Sequence, residues 1–282
     1  MKTGLVLEGG ALRGLFSVGV MDVMMEHRIE FDGIIGVSAG AAFGCNYKSR
    51  QPGRAIRYNM QFAKDWRFCS LRSLLKTGDL YGGEFDYHYL PEHLDIFDTK
   101  AFDENPTEFY AVCTNVETGS AIYQKLMKCS YECYEWIRAS ASMPLASKIV
   151  EINGLKLLDG GISDSIPLQY FRSIGYEKNI VITTQPDGYQ KESNKFLPLI
   201  RLTMRKYPRF IEAAEERHLM YNEQLDFLKQ KEEEGNTLVI RPAEKLKIGH
   251  VSHSRKKMWE TYNIGRKAAE DRLEEIISFI SA

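Results

Sequence analysis

No stretch of this 282-residue chain reaches the roughly 20 consecutive apolar residues that a bilayer-spanning helix needs. Net charge is also lacking: 37 Lys and Arg stand against 38 Asp and Glu, a formal charge of -1. Nothing global therefore points to nucleic acid as a partner. Cysteines are few, and Cys45, Cys69, Cys113, Cys129 and Cys133 are odd in number with no C-x-x-C spacing, which speaks against a disulfide framework and a zinc site alike. Reduced thiols in a cytoplasmic protein are the expectation. The N-terminus offers Lys2 and then only Leu5-Val6-Leu7 before Glu8, too short an apolar run for a signal peptide. Repeats and low-complexity linkers are missing as well. What the chain does have is 44% hydrophobic content, enough for a sizeable core in one large α/β domain or two small ones.

Gly4 to Leu7 reads as a strand running into Glu8-Gly9-Gly10-Ala11-Leu12-Arg13-Gly14. Leu15 to Met25 is apolar on nearly every side, the pattern of a buried helix. Ile34-Ile35-Gly36-Val37 follows as a second strand and completes a β-α-β unit. A parallel sheet with helices on both faces is expected. Gly53 to Lys76 reads as helical until Gly82-Gly83 breaks it, and residues 84 to 105 mix aromatic and acidic side chains without periodicity, a loop-rich insert near the mouth of a site. Strands at 109–113 and 121–125 flank the turn Glu117-Thr118-Gly119. A helix over 131–142 is stopped by Pro144, and strands at 148–152 and 155–158 flank the type I′ signal Asn153-Gly154. One more buried strand is expected at 180–184. Beyond it the character changes: a long amphipathic helix over 205–234, with Ala214, His218, Tyr221, Leu225 and Leu228 in its stripe, a strand over 238–241 and a last helix from about Arg255. Residues 1–185 thus read as a core and 186–282 as a mostly helical extension packed on the same domain.

Gly36-Val37-Ser38-Ala39-Gly40 matches the G-x-S-x-G elbow, in which a strand turns sharply into a helix and lifts a serine hydroxyl clear of the sheet. The upstream glycines are no dinucleotide fingerprint, because Gly9-Gly10-x-x-x-Gly14 is not G-x-G-x-x-G and Asp32 begins the second strand instead of ending it. They suit an anion nest better, with successive amides ahead of a helix N-terminus, and the anion could be a tetrahedral oxyanion. A serine nucleophile also needs a base within hydrogen-bond reach. His27 and His93 have no positional logic, and His218 lies on an apolar stripe. His250 and His253 follow an aspartate in the Ser…Asp…His order of an α/β-hydrolase, but Ser252 or Ser254 in the same loop can cap the last helix instead.

Four blocks in order and approximate spacing, Glu8 to Gly14, Gly36 to Gly40, Ala139-Ser140-Ala141-Ser142-Met143-Pro144 and Asp159-Gly160-Gly161, resemble the patatin-like phospholipases over residues 4 to about 184. The resemblance implies a three-layer α/β/α sandwich with a mainly parallel sheet. It also implies a Ser-Asp dyad instead of a triad, with Ser38 as nucleophile and Asp159 as base. Gly9, Gly10 and Ala11, with the amides of Leu12 and Arg13, would form the oxyanion hole, supported by Gly14, Gly36, Gly40, Gly160 and Gly161. Such enzymes cleave acyl esters of phospholipids or neutral lipids through an acyl-enzyme, so the implied partner is a lipid or acyl-ester substrate, with no metal or other cofactor. One departure stands out: the family's glycine run is usually three long, and here Ala11 stands third, donating its N–H but resisting φ > 0. A solvated aspartate is a poor base at neutral pH, so burial or a short bond to Ser38 must raise the basicity of Asp159. Arg13 either holds a neighbouring loop through a carboxylate or meets an anionic head group. The basic-aromatic cluster Arg201, Arg205, Lys206, Arg209, Tyr207 and Phe210 would give peripheral contact with an anionic membrane, or else is a solvated helix face. A histidine-base esterase and a lipid-binding protein of the same fold without turnover are the alternatives. Oligomeric state is not legible.

Overall fold

Residues 1–281 are described by a computed structural model. Among them eight strands form one sheet: β1 (Lys2–Leu7), β2 (Gly33–Val37), β3 (Glu108–Asn115), β4 (Ala121–Leu126), β5 (Val150–Ile152), β6 (Leu155–Asp159), β7 (Tyr176–Ile182) and β8 (Thr237–Ile240). The run β3-β2-β1-β7-β8 is parallel, while β4, β6 and β5 join antiparallel at its β3 end. The apolar strands owe their composition to burial on both faces. Leu5 and Leu7 enter one core and Val6 the other; Ile34 opposes Ile35, and Ile180 and Ile182 oppose Val181 in the same way.

The helices divide between these two cores. On the first face lie α1 (Leu15–Glu26), α2 (Ala39–Lys48), α3 (Arg54–Phe62), α5 (Thr99–Glu104) and α6 (Tyr131–Ser140), with α4 (Leu71–Thr77) at the margin. On the second, α7 (Leu168–Ser173) contributes Leu168 and Phe171. Downstream, α8 (Leu197–Thr203) puts Ile200 into a smaller cluster with Val116, Leu158 and Phe210, while α9 (Pro208–Glu233) covers the second face, its Tyr221 and Leu228 packing on Val6 and Val239. The chain then returns to the first face with α10 (Arg255–Glu270) and α11 (Leu273–Ser281). The result is a three-layer α/β/α sandwich around a mostly parallel sheet. The C-terminal third adds β8 beside β7 and lays α10 on α1, so closely that a Cβ at Gly19 would strike the Tyr262 carbonyl and one at Gly265 the Phe16 carbonyl. Among the described residues no helix is long and apolar enough to cross a membrane.

Register decides what meets what. Residues 109–112 of β3 pair with β2 on one side and β4 on the other, and β4 continues along Cys113 and Thr114. The edge beside β2 is therefore free past Val112, where β2 ends opposite it through Val37, and β6 fills that edge with Asp159 opposite Cys113. β6 and β2 thus lie end to end, and Asp159 stands next to the residue that follows Val37.

Several elements differ from the sequence expectation. The region 53–76 is two helices, because the chain turns at residues 63–70 and Ser70 caps α4 by accepting from the Ser73 N–H at 2.9 Å. The supposed loop-rich insert contains a π-helix over Phe85–Leu94 and α5. Its wide turns accommodate Pro91, which has no N–H to donate, and they hide the ordinary helical period. The last helix breaks after Glu270, and the short α7 and α8 carried no sequence signal.

Candidate active site

Ser38 sits between β2 and α2 at φ 55°, ψ −122°, a left-handed conformation that a serine adopts only where its surroundings enforce it. Gly36 and Gly40 do the enforcing: a Cβ on Gly36 would lie 2.5 Å from the Gly40 carbonyl, and one on Gly40 would strike the carbonyl of Leu7. The Ser38 N–H donates to Ser140 Oγ at 2.9 Å, and the Ser140 hydroxyl donates to the Val112 carbonyl at 2.6 Å. A buried serine on α6 thus ties the elbow to β3.

Asp159 closes β6 and is buried. Its carboxylate accepts from the Gly161 N–H at 2.8 Å and is near enough to the Ser38 hydroxyl for that group to favour its ionised form. Burial raises its pKa above the ordinary carboxylate value, and Ser38, the Arg217 guanidinium and the Gly161 N–H oppose the shift. The Asp159 N–H donates to the Ser142 carbonyl at 2.8 Å, and Thr114 Oγ1 donates to the Asp159 carbonyl at 2.8 Å. The Ala139–Pro144 block therefore serves both partners, through Ser140 at Ser38 and Ser142 at Asp159. Arg217 on α9 donates from Nε to the Gly161 carbonyl, fixing the Gly160-Gly161 turn. The sequence reading missed Arg217, which lies in a run of charged residues that resembles any solvated helix face.

The glycine turn packs directly on the elbow, since a Cβ at Gly9 would come within 2.9 Å of Ser38 Cβ. Ala11 adopts φ 48°, the left-handed conformation that a third glycine would take freely. The N–H groups of Gly9, Gly10 and Ala11 have no acceptor among the described residues, whereas the Arg13 N–H is held by the Gly10 carbonyl at 3.1 Å. Leu12 is buried in the single 3-10 turn Ala11–Gly14. Just upstream Glu8, which the sequence placed at the head of the first motif block without a role, is buried; its carboxylate accepts from Tyr221 Oη at 2.6 Å and from the Thr184 N–H at 2.5 Å. Burial raises its pKa while those two donors lower it. The clamp joins β1, β7 and α9 immediately before the unused amides.

Arg13 makes no salt bridge among the described residues, and its Nε is enclosed without a partner. It acts on Glu8 through charge alone. Of the two rival histidines, His253 has its ring engaged elsewhere. His253 Nδ1 lies 2.6 Å from the Ala63 carbonyl, and Ser254 caps α10 by accepting from the Lys257 N–H at 3.3 Å. His250 sits on the rim, where Tyr81 Oη donates to its carbonyl at 2.6 Å. Its imidazole is pushed down to about 4 by loss of solvation and by Arg13, Arg217 and Lys191. In the basic-aromatic cluster Phe210 is a core residue, and Arg201 and Arg209 pair with Glu215 and Glu212 at 2.6 and 2.8 Å.

In front of Ser38 opens a cavity of about 100 Å³. Leu12, Phe43, Leu90, Phe97 and Ile137 supply much of its wall. The π-helix forms one side, so the segment expected near the site mouth lines the cavity itself.

Comparison with known proteins gives two profile matches: the patatin-like phospholipase family over residues 5–172, and a domain of unknown function, DUF6363, over residues 207–281. The Escherichia coli K12 protein named "Uncharacterized protein YjjU" is 30% identical over 194 residues, 66% of this chain and 52% of that protein. "Lysophospholipase nte1" of Aspergillus niger is 30% identical over 181 residues, 62% of this chain and 11% of that protein. "Lysophospholipase NTE1" of Coccidioides immitis is 27% identical over 212 residues, 71% of this chain and 13% of that protein. The aligned region thus spans about half the length of the first relative and about a tenth of the fungal ones. Among solved structures, VipD from Legionella pneumophila matches with a TM-score of 0.49 at 13% identity, over 97% of this chain and 67% of that one. With one profile over more than half of its length, carrying the serine elbow and Asp159-Gly160-Gly161, the chain belongs to the patatin-like phospholipase family.

Proposed function

We propose that this protein is a serine acyl hydrolase that cleaves carboxylic esters of lipids through an acyl-Ser38 intermediate, with Asp159 as the base. The observation that carries the reading is the end-to-end arrangement of β2 and β6 along β3, with Ser38 beside the buried carboxylate of Asp159. Ser38 Oγ attacks the ester carbonyl while its proton passes to Asp159. The oxyanion takes the unused N–H groups of Gly9, Gly10 and Ala11. Collapse releases the alcohol, which leaves with the proton from Asp159, and water activated by the same carboxylate then frees the acid and restores Ser38. Family membership and relatives named as lysophospholipases support a lipid ester as substrate. Peripheral contact with a lipid surface would use α8, where Phe196, Leu199 and Leu202 are exposed beside Arg205 and Lys206. All five cysteines are free, which suits a reducing cytoplasm.

The test is labelling with a fluorophosphonate probe beside hydrolysis of a panel of acyl esters. Ser38→Ala is expected to abolish both. Asp159→Asn should slow them by about a thousandfold, on the scale of lost bases in related chemistry. Folded wild-type protein that neither labels nor cleaves any ester would sink the reading.

A further inference from the structure

The cavity before Ser38 is not uniformly apolar. Its wall carries the Asp86 carboxyl and the phenol groups of Tyr58 and Tyr87. Asp86 and Tyr87 are neighbours on the π-helix, and Tyr58 of α3 lines the same cavity. Asp86 Oδ1 is enclosed with no hydrogen-bond partner among the described residues. A core position would carry Leu or Phe here, because an unpaired buried carboxyl is costly. Polar groups retained in an otherwise apolar pocket are the usual means of orienting and selecting a ligand. The cluster also lies close to the dyad, since Tyr87 and Asp159 influence each other electrostatically.

The surroundings define the chemistry of the missing partner. Burial, with the Asp65 and Asp79 carboxylates, drives the pKa of Asp86 well above the carboxylate range against the Gly82 amide, so the group is held toward its neutral form. A phosphate at Asp86 would sit in the field of those carboxylates, the Arg54 guanidinium on the same wall being already held by Asp95 and Asn46, and an ammonium would need Asp86 to ionise. An alcohol hydroxyl, donor and acceptor at once, matches a neutral carboxyl and two phenols.

We propose that Asp86, with Tyr58 and Tyr87, binds an uncharged hydroxyl of the substrate, so that the ester cleaved at Ser38 is one that carries such a group. The inference rests on the acyl-hydrolase reading above. The hydroxyl has two sources, a hydroxylated acyl chain or the free hydroxyls of a glycerol alcohol part, and both present the same chemistry to the cluster.

The experiment measures kcat/KM in two arms. One compares p-nitrophenyl octanoate with a series of p-nitrophenyl hydroxyoctanoates; the other compares ethyl octanoate with monooctanoylglycerol. Wild type is set beside Asp86→Asn, Asp86→Leu, Tyr58→Phe and Tyr87→Phe. The expected result is a preference of about tenfold or more for the hydroxylated ester in one arm, kept by Asp86→Asn and lost in Asp86→Leu. The arm that shows it identifies the source. Should Asp86→Leu fail to fold, the two Tyr→Phe variants carry the test, each expected to reduce the preference. Plain esters cleaved with no preference in wild type, or a preference that survives every variant, overturns the inference alone and leaves ordered water as the partner of Asp86. Folded wild type that cleaves no ester overturns both.

Discussion

At Asp159 burial and hydrogen bonding pull in opposite directions. Desolvation raises its pKa, while the Ser38 hydroxyl, Arg217 and the Gly161 N–H hold the shift in check. A base works only when ionised, so activity should fall as pH drops through this raised value. The acid limb of kcat/KM is accordingly expected above the ordinary aspartate value of about 4. Arg217→Met removes a cation that favours the ionised form, so the limb should move further up while the plateau activity at higher pH persists in part. A pH–rate profile of both proteins checks this, and an unmoved limb would show that the charge of Arg217 is not felt at the dyad. Ser38 and Asp159 were both legible as motif residues. Arg217 was not, and Glu8 was legible only as the head of a motif block and not for its partners, because each acts on a segment remote in sequence.

At the scale of elements, α1 and α10 cross on Gly19 and Gly265, and a buried carboxylate locks the crossing. Asp22 Oδ2 accepts from Tyr262 Oη of α10 at 2.8 Å and from the Gly53 N–H ahead of α3 at 2.9 Å. Burial pushes its pKa up to about 6, with Tyr262 and Gly53 opposing. Because the folded value exceeds the unfolded one, the unfolded chain gives up its proton first as pH rises. The contribution of Asp22 to stability is therefore greatest below about pH 4, falls between about pH 4 and 6, and stays low at neutrality, a swing of roughly 3 kcal/mol. Asp22→Asn keeps both hydrogen bonds without the titration, so its melting temperature should lose most of that decline relative to wild type across the same window. Identical slopes in the two proteins would refute the assignment. The apolar α1 was readable from composition alone, but its partner was not, since the stripe of α10 names a buried face without naming what buries it.

Across the whole molecule, the sheet needs the C-terminal third. β8 pairs with β7, α9 covers Val6 and Val239, and α10 and α11 close the opposite face. A chain ending at residue 185 should lose these covers together with Arg217 and Tyr221, and is expected to be recovered aggregated. Soluble, cooperatively melting protein of that length would show the core to be self-sufficient. The sequence by itself determined the short apolar runs and the all-round apolar helix that make a parallel sheet between helices, and the glycines that force the elbow, because these depend on local sterics and on burial of short segments. It also marked four motif blocks, and the resemblance implied that Ser38 and Asp159 pair, but not through what register. Only the tertiary structure decided that, through the exchange of partners along one edge of β3: β2 ends opposite Val112, β6 ends opposite Cys113, and the aspartate closing one strand stands beside the serine that follows the other. Register between strands distant in the chain is a property of the assembled sheet. So is the left-handed Ala11, whose φ of 48° no propensity would choose and which the packed loop imposes.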